Sequence, residues 1–350
     1  MDIKENYSLA PLTTFRIGGL ARYFISVRNL EELKEALRMA KRNKLGIFIL
    51  GGGSNLLISD KGFQGLVIAM NIKGIEVKEA GETAELRAGS SEIWDEVVML
   101  AISRNLWGIE NLSNIPGFVG AIPVQNVGAY GQEASQVVEN VEALDLASLE
   151  LKNFSNQDCA FAYRQSRFNT VWKNKYAILS VTFKLSKQPK PNLDYADVKK
   201  YFENTPDPGQ PQIRQAIIEI RKSKFPDLAA VGTAGSFFKN IILNKEQFDT
   251  TLERIKENFG SETADKLITA VNKFPQADGI KVPAAFLIDI CGLKGRSAGD
   301  ARLWERQPLV IVNLGQAKAA DVMKLFELVK AEVLAKTGIE LAPEPEFIGF

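Results

Sequence analysis

Gly232-Thr233-Ala234-Gly235-Ser236-Phe237-Phe238-Lys239-Asn240 sets a serine behind small residues and ahead of two aromatics and a Lys-Asn pair. A serine after glycine can stand exposed on a turn, yet the chain has no histidine, so the usual base for a serine nucleophile is missing. The Ser236 hydroxyl can still give a proton to something strongly basic, such as a carbanion formed in the site. A turn serine satisfied by backbone is the structural alternative. The lack of imidazole also removes Cys-His hydrolases, histidine zinc sites and a flavin tethered through an imidazole. Proton donors must be Ser, Tyr, Lys, Asp or Glu, with or without water.

Three further clusters carry charge in suggestive settings. Arg164 and Arg167 lie in the aromatic, strand-like run Phe161-Ala162-Tyr163-Arg164-Gln165-Ser166-Arg167-Phe168. An arginine there can grip a carboxylate or phosphate through two parallel bonds, or can be a surface strand residue. Pro343-Glu344-Pro345-Glu346-Phe347 alternates two acids with two prolines near the chain end, where residues are generally loose. Arg221, Lys222 and Lys224 precede Pro226, either as an anion clamp or as the cationic last turn of a helix.

Two glycine-rich segments complete the set. The first is Gly51-Gly52-Gly53-Ser54-Asn55, at the end of a short apolar run. Bare N–H groups after a strand can converge on an anion, although neither a Walker loop nor a G-x-G-x-x-G turn is present. A structural turn is the alternative. The second runs from Asn114 to Gly131, with four glycines, two prolines and no charge. Such a stretch is unsuited to a surface linker and is broken too often for a core strand. It reads as backbone laid against something large and partly polar, with Gln125 and Asn126 offering amides to a heterocycle edge, or as a tight set of turns in a buried crossover.

The elements that must position these residues follow from periodicity. Strands are expected at 22–27, 47–50, 66–69, 75–79, 84–88, 141–146 and 177–185. Asn29-Leu30-Glu31-Glu32 caps an amphipathic helix reaching about Asn43. A helix over 91–105 has its apolar stripe at Ile93, Val97, Leu100 and Ala101. Up to residue 185 the pattern is α+β, with a cofactor-sized cleft between the glycine-rich segments. Proline-rich joints at 186–192 and 205–211 then flank a short helix opened by Asp194-Tyr195-Ala196-Asp197. Helices are expected at 212–223, 244–273, 283–290 and 317–336, with a buried strand at 309–313, so the second half has its own core.

The bulk numbers bound the reading. The 350 residues suggest two or three domains, and 45% hydrophobic with 24% charged content is ordinary for a globular protein. A net charge of +1 leaves no footprint for nucleic acid or an anionic membrane. The apolar runs are too short to span a bilayer, and the first ten residues do not form a secretory signal. Cys159 and Cys291 cannot make a disulfide framework and read as small buried side chains of a cytoplasmic protein.

Taken together, these segments resemble the bacterial UDP-N-acetylenolpyruvoylglucosamine reductases (the MurB family), FAD enzymes of peptidoglycan precursor synthesis. The resemblance rests on Thr14-Phe15-Arg16-Ile17-Gly18-Gly19, residues 50–57, residues 115–131, Tyr163-Arg164, Lys224-Phe225-Pro226-Asp227, residues 235–240, Arg306-Gln307, and Glu344 between its prolines. The sequence departs from relatives at Thr13, at Ile241 and at Leu303-Trp304, where Asn, Pro and Val-His are common.

The resemblance implies an α+β chain: a two-subdomain FAD-binding fold of the vanillyl-alcohol-oxidase (PCMH) type, at 1–70 with the tail 339–350 and at 71–205. A substrate-binding domain would follow at 206–338. NADPH would reduce a non-covalent FAD, and the enolpyruvyl group of the UDP-sugar would receive the hydride. Ser236 would be the general acid, and Arg164 and Glu344 would stabilise the enolate-like intermediate. Tyr195, Arg221, Lys224, Asn240 and Gln307 would hold the UDP-sugar. Gly51, Gly52, Gly53, Ser54, Asn55, Pro116, Gly117, Gln125, Asn126, Gly128, Tyr130 and Gly131 would hold the FAD. No metal, nucleic acid or membrane partner is expected, and a cytoplasmic monomer is. A flavin oxidase of the same fold acting on a sugar or alcohol, and a non-catalytic nucleotide-sugar-binding protein, remain the rival readings.

Overall fold

Asn29 accepts a hydrogen bond from the Glu32 amide (2.9 Å) and so starts the Leu30–Arg42 helix where the sequence places it. Glu31 and Glu32 in its first turn, and Lys41 and Arg42 in its last, complement the helix dipole. Leu33, Ala36, Leu37 and Ala40 form its buried face, packed with Ile25, Val27, Leu66 and Ile68. Burial of each leucine, isoleucine or valine here stabilises the fold by about 1.5–3 kcal/mol, and of each alanine by about 0.8 kcal/mol.

The computed structural model describes residues 2–272 and 279–350, which form two compact units. The first unit comprises residues 1–7, 21–53 and 63–222. Its first sheet has the order Lys4–Ser8, Leu20–Val27, Phe63–Met70, Ile47–Leu50, and the last three strands run parallel. Its second sheet has five antiparallel strands: Leu151–Ser155, Val138–Asp145, Tyr176–Ser186, Thr83–Gly89 and Ile75–Ala80. The Trp94–Ser103 helix shares a core cluster with this sheet, with Trp94 tilted against Phe183 at 5.4 Å.

The second unit comprises residues 8–20, 54–62 and 223–350. A sheet of Gly232–Ser236, Val310–Asn313, Ala301–Leu303 and Ser297–Ala298 lies at its centre. Phe237, Phe238, Phe326 and Phe347 form an aromatic cluster in its core. The last strand, Glu346–Ile348, pairs in parallel with Leu56–Ile58, so segments almost 300 positions apart share one small sheet.

Some sequence expectations differ from this architecture. The 161–168 run is no strand: Ala162 and Gln165 bridge across a tight turn, and Arg164 sits at φ +54°. Its aromatics suggested β structure, but Phe168 packs edge to face against Phe154 and Trp172, which are themselves tilted together. Ile93 is the N-cap of the Trp94–Ser103 helix and is exposed; Trp94, Val97, Val98 and Ala101 are the buried face. The expected 244–273 helix is two helices, Lys245–Phe259 and Ser261–Asn272, broken at Gly260 (φ +87°), and Lys273 lies outside the described residues.

Candidate functional site

In the first unit the Ile47–Leu50 strand delivers Gly51-Gly52-Gly53, as its position in the parallel sheet requires. A Cβ on Gly52 would lie 2.9 Å from the Gly117 Cα and 3.1 Å from the Phe118 nitrogen. The two glycine-rich segments therefore touch backbone to backbone, and only glycine fits. A Cβ on Gly51, by contrast, would meet nothing within 4 Å. A bare strand end facing open space, beside an uncharged Gly/Pro stretch, fits the phosphates and ring of a dinucleotide flavin.

The 114–131 stretch is held down by its own backbone. Trp94 N–H donates to the Gly117 carbonyl (3.0 Å), Val119 N–H to Glu92 (2.9 Å) and Gly120 N–H to Ser90 (2.8 Å). Asn126, expected to read a heterocycle edge, spends its amide inside the protein. Its Nδ2 donates to Glu133 and to the Ala162 carbonyl at 3.1 Å each, and its Oδ1 accepts from Ser135 N–H at 2.9 Å. Any contact with a cofactor therefore falls to its backbone. Pro116, Gln125 and Gly131 are half-buried or exposed on the same stretch. Arg164 Nη2 donates to the Gly128 carbonyl (2.8 Å), and its guanidinium lies over the Tyr163 ring at 5.4 Å. The positive φ of Arg164 turns it back onto the stretch, a direction that a strand would not give it.

At the far end of the stretch, the buried Tyr130 packs edge-on against Tyr195 (5.3 Å) and is hydrogen-bonded to Arg221. Burial raises the Tyr130 hydroxyl above the ordinary tyrosine value, with Asp197 adding to that and Arg221 opposing it. Burial raises Tyr195 further, helped by Asp197. Both phenols therefore stay protonated donors. Arg221 is lowered by burial, against the pull of Tyr130 and Asp95. Arg221 and Lys224 occupy the last turn of the Gln210–Lys224 helix.

Sequence reasoning passed over two residues here. Arg214, on the same helix, forms a bidentate pair with Asp95 at 2.6 and 2.7 Å, and Asp95 also accepts from the Asn114 amide at 2.5 Å. Burial pushes the Asp95 carboxyl up, but Arg214 and the Asn114 amide outweigh it and hold it below the usual value. In the sequence Asp95 reads only as an acid in a helix's first turn and Arg214 as a solvent-face charge. Their partnership spans 119 positions.

In the second unit Ser236 ends the Gly232–Ser236 strand, opposite Val310, after Gly235 at φ +79°. That left-handed step bends the strand and leaves Ser236 half-buried at its end. Phe237 N–H donates to the Leu309 carbonyl (2.6 Å), which ties the serine to the 304–309 hairpin turn that carries Gln307. The C-terminal tail lies alongside. Glu344 N–H donates to the Phe237 carbonyl (2.8 Å), Lys239 N–H to Ala342 (3.0 Å), and Phe238 bridges Pro343. Asn55 Nδ2 donates to the Glu344 carbonyl (3.3 Å), and Asn55 O accepts from Glu346 N–H (3.0 Å). Asn240 Oδ1 accepts from the Ala284 amide (3.0 Å), capping the Ala284–Ile290 helix. Ser236, Glu344, Asn55 and Gln307 are thus joined by backbone within this unit, whereas Arg164, Tyr130, Tyr195 and Arg221 gather in the first.

The free cysteines stand apart from this machinery. Burial pushes the Cys159 thiol up to about 12 and Cys291 up to about 11, so neither is a nucleophile. No helix among the described residues is long and apolar enough to cross a membrane.

Two family models match the chain. Residues 21–150 match the FAD binding domain family, and residues 227–348 match the family described as UDP-N-acetylenolpyruvoylglucosamine reductase, C-terminal domain. The chain is 37% identical over 347 residues to the UDP-N-acetylenolpyruvoylglucosamine reductase of Bdellovibrio bacteriovorus, covering 99% of each chain. It is 38% identical over 351 residues to that of Neisseria meningitidis serogroup A, covering 99% of this chain and 97% of the relative. The crystal structure of the Thermus caldophilus reductase (MurB) shares the fold, with a TM-score of 0.68 at 24% identity over 99% of this chain and 98% of that one. With that identity sustained from end to end, the chain belongs to the UDP-N-acetylenolpyruvoylglucosamine reductase family.

Proposed function

We propose that this protein reduces UDP-N-acetylglucosamine enolpyruvate to UDP-N-acetylmuramate at the expense of NADPH, through non-covalently bound FAD, in peptidoglycan precursor synthesis. The reading includes a cytoplasmic monomer, flavin subdomains at 1–70 and 71–205, and a substrate domain at 206–338. The observation that carries it is the pairing of Glu344 with Phe237 in a chain without histidine. It supports a proton donor at Ser236 with a carboxylate on the adjoining backbone.

FAD, when bound, supplies hydride for the methylene carbon of the enolpyruvyl group. Gly51, Gly52, Gly53, Ser54 and Asn55, with Pro116, Gly117, Gln125, Asn126, Gly128, Tyr130 and Gly131, hold it, largely through backbone groups. Negative charge on the substrate then spreads over the adjacent carbon and its carboxylate, where a fixed cation and donors act best away from water. Arg164, oriented by its bond to Gly128, supplies that cation, and Glu344 flanks the same group. Ser236 gives its hydroxyl proton to the carbanionic carbon and is reprotonated from solvent. Tyr195, Arg221, Lys224, Asn240 and Gln307 bind the diphosphate, carboxylate and neighbouring groups of the UDP-sugar. The two tyrosines remain neutral donors through burial, as an anionic ligand requires.

Colour tests the proposal. The purified protein is expected to be yellow, to bleach with NADPH without oxygen, and to regain colour on adding enolpyruvyl UDP-N-acetylglucosamine, with product two hydrogens heavier. Colour that returns only with oxygen, or a protein without flavin, would overturn it.

A further inference from the structure

The Gln210–Lys224 helix bonds to the Gly/Pro stretch at both of its ends. Arg214 reaches the start of the stretch through Asp95, whose Oδ1 also accepts from the Asn114 amide. Arg221 reaches the far end through the Tyr130 hydroxyl. The two arginines are seven positions apart, which is almost two helical turns, so they lie on one face about 10.5 Å apart along the axis. The pair is not an ordinary surface contact. Arg214 and Asp95 are mostly buried, with side chains 16% and 24% exposed, and the geometry is bidentate. Exposed pairs on this protein, such as Lys266–Glu262, lack both features.

We propose that Asp95 and Arg214 are positioning residues for the substrate. Their bond fixes the rotation of the Gln210–Lys224 helix, and with it the placing of Arg221 and Tyr130. Neither residue touches the substrate; they act through the last helical turn and the Tyr130–Tyr195 pair. The inference rests on the reading above, in which Arg221, Lys224 and Tyr195 bind the UDP-sugar. Without the bond, the helix keeps its apolar contacts through Ile213, Ala216 and Ile217. What is lost is the definition of its rotation, to which an anion clamp is sensitive and a hydrophobic contact is not.

The test uses Asp95→Asn, Arg214→Gln, their combination, and Arg214→Lys in the full-length holoenzyme. Binding of UDP to the oxidised protein, followed by calorimetry, gives a readout independent of turnover. Each single neutral variant is expected to weaken UDP binding and raise KM for the enolpyruvyl substrate about tenfold, with the double variant no worse than either single one. Arg214→Lys keeps the charge and is expected to recover part of that loss. Flavin content and the rate of bleaching by NADPH are expected to stay within about twofold of the parent, as is kcat. Variants that melt at lower temperature yet bind UDP like the parent would reduce the pair to a structural contact and overturn the proposal. Additive losses in the double variant would overturn it too. If the parent itself failed to reduce the substrate, the functional reading would fall, whereas the UDP binding series would still judge the positioning role.

Discussion

The backbone amide of Glu344 donates to the carbonyl of Phe237 over 2.8 Å, one residue beyond Ser236. A serine and an acid separated by more than a hundred positions are thereby held on adjoining backbone segments, with the hairpin turn of Gln307 on the serine's other side. Prolines 343 and 345 keep the acid from drifting, because each fixes a backbone angle on either side of it.

Ser236→Ala removes the hydroxyl proposed as proton donor and leaves the strand pairing intact. It is expected to leave bleaching by NADPH near normal and to slow the recovery of colour with substrate by about 100- to 1,000-fold, or roughly 2.7–4 kcal/mol of barrier. Stopped-flow absorbance resolves the two half-reactions. Equal slowing of both would remove Ser236 from the proton-transfer step.

Gly51 and Gly52 are neighbours with opposite tolerances. A methyl at Gly52 would strike the Gly117 backbone, where no flexible side chain can yield, while one at Gly51 meets open space. Gly52→Ala is expected to cost about 1–3 kcal/mol through overpacking and to displace the glycine segments from each other. The flavin absorbance per protein should fall accordingly. Gly51→Ala should fold like the parent, so any loss of flavin there reports the space that a ligand needs.

How much of this was legible from the chain depends on distance along it. The Asn29 cap, the strand ending at Leu50 and the special character of residues 114–131 are local and could be read directly. The 161–168 run misled because Phe168 packs on Trp172 from a turned segment, a tertiary choice that imitates β alternation. The break at Gly260 was hidden because polar residues continue on both sides and the glycine alone takes the left-handed φ. Asn126 looked like a reader of heterocycles because nothing local announces Glu133, Ala162 and Ser135 as partners for its amide. Asp95 and Arg214 were invisible for the same reason.

The Asp95 carboxyl gives the fold a defined acid limit. Its folded-state value is depressed, so its contribution is fully present above the unfolded value of about 3.9 and disappears as pH falls through the lower folded value. Asp95→Asn should be less stable than the parent at neutral pH, and the gap should close progressively below about pH 3.9. Urea midpoints across the acid range measure this. A gap that stayed constant would mean that Asp95 is not ionised in its pair.

Burial holds both thiols far above neutral pH, Cys159 at about 12 and Cys291 at about 11. Iodoacetamide at mildly alkaline pH should leave the native protein unlabelled, and mass spectrometry should show two additions once it is unfolded in urea. Labelling of one site in the native state would mark a local opening of that core.

The second unit is assembled from residues 8–20, 54–62 and 223–350, and its final strand, Glu346–Ile348, pairs with Leu56–Ile58. A ribosome adds about 5–20 residues per second, so the early pieces emerge tens of seconds before their partners exist. During that interval Phe15, Ile17 and Leu57, all buried in the finished core, lack the residues from 223 onward that make up most of that core. Chaperone dependence during synthesis should therefore be greatest before Glu346–Ile348 leaves the tunnel, and a chain stalled ahead of that strand should leave Leu56–Ile58 without its partner however well the first unit had folded.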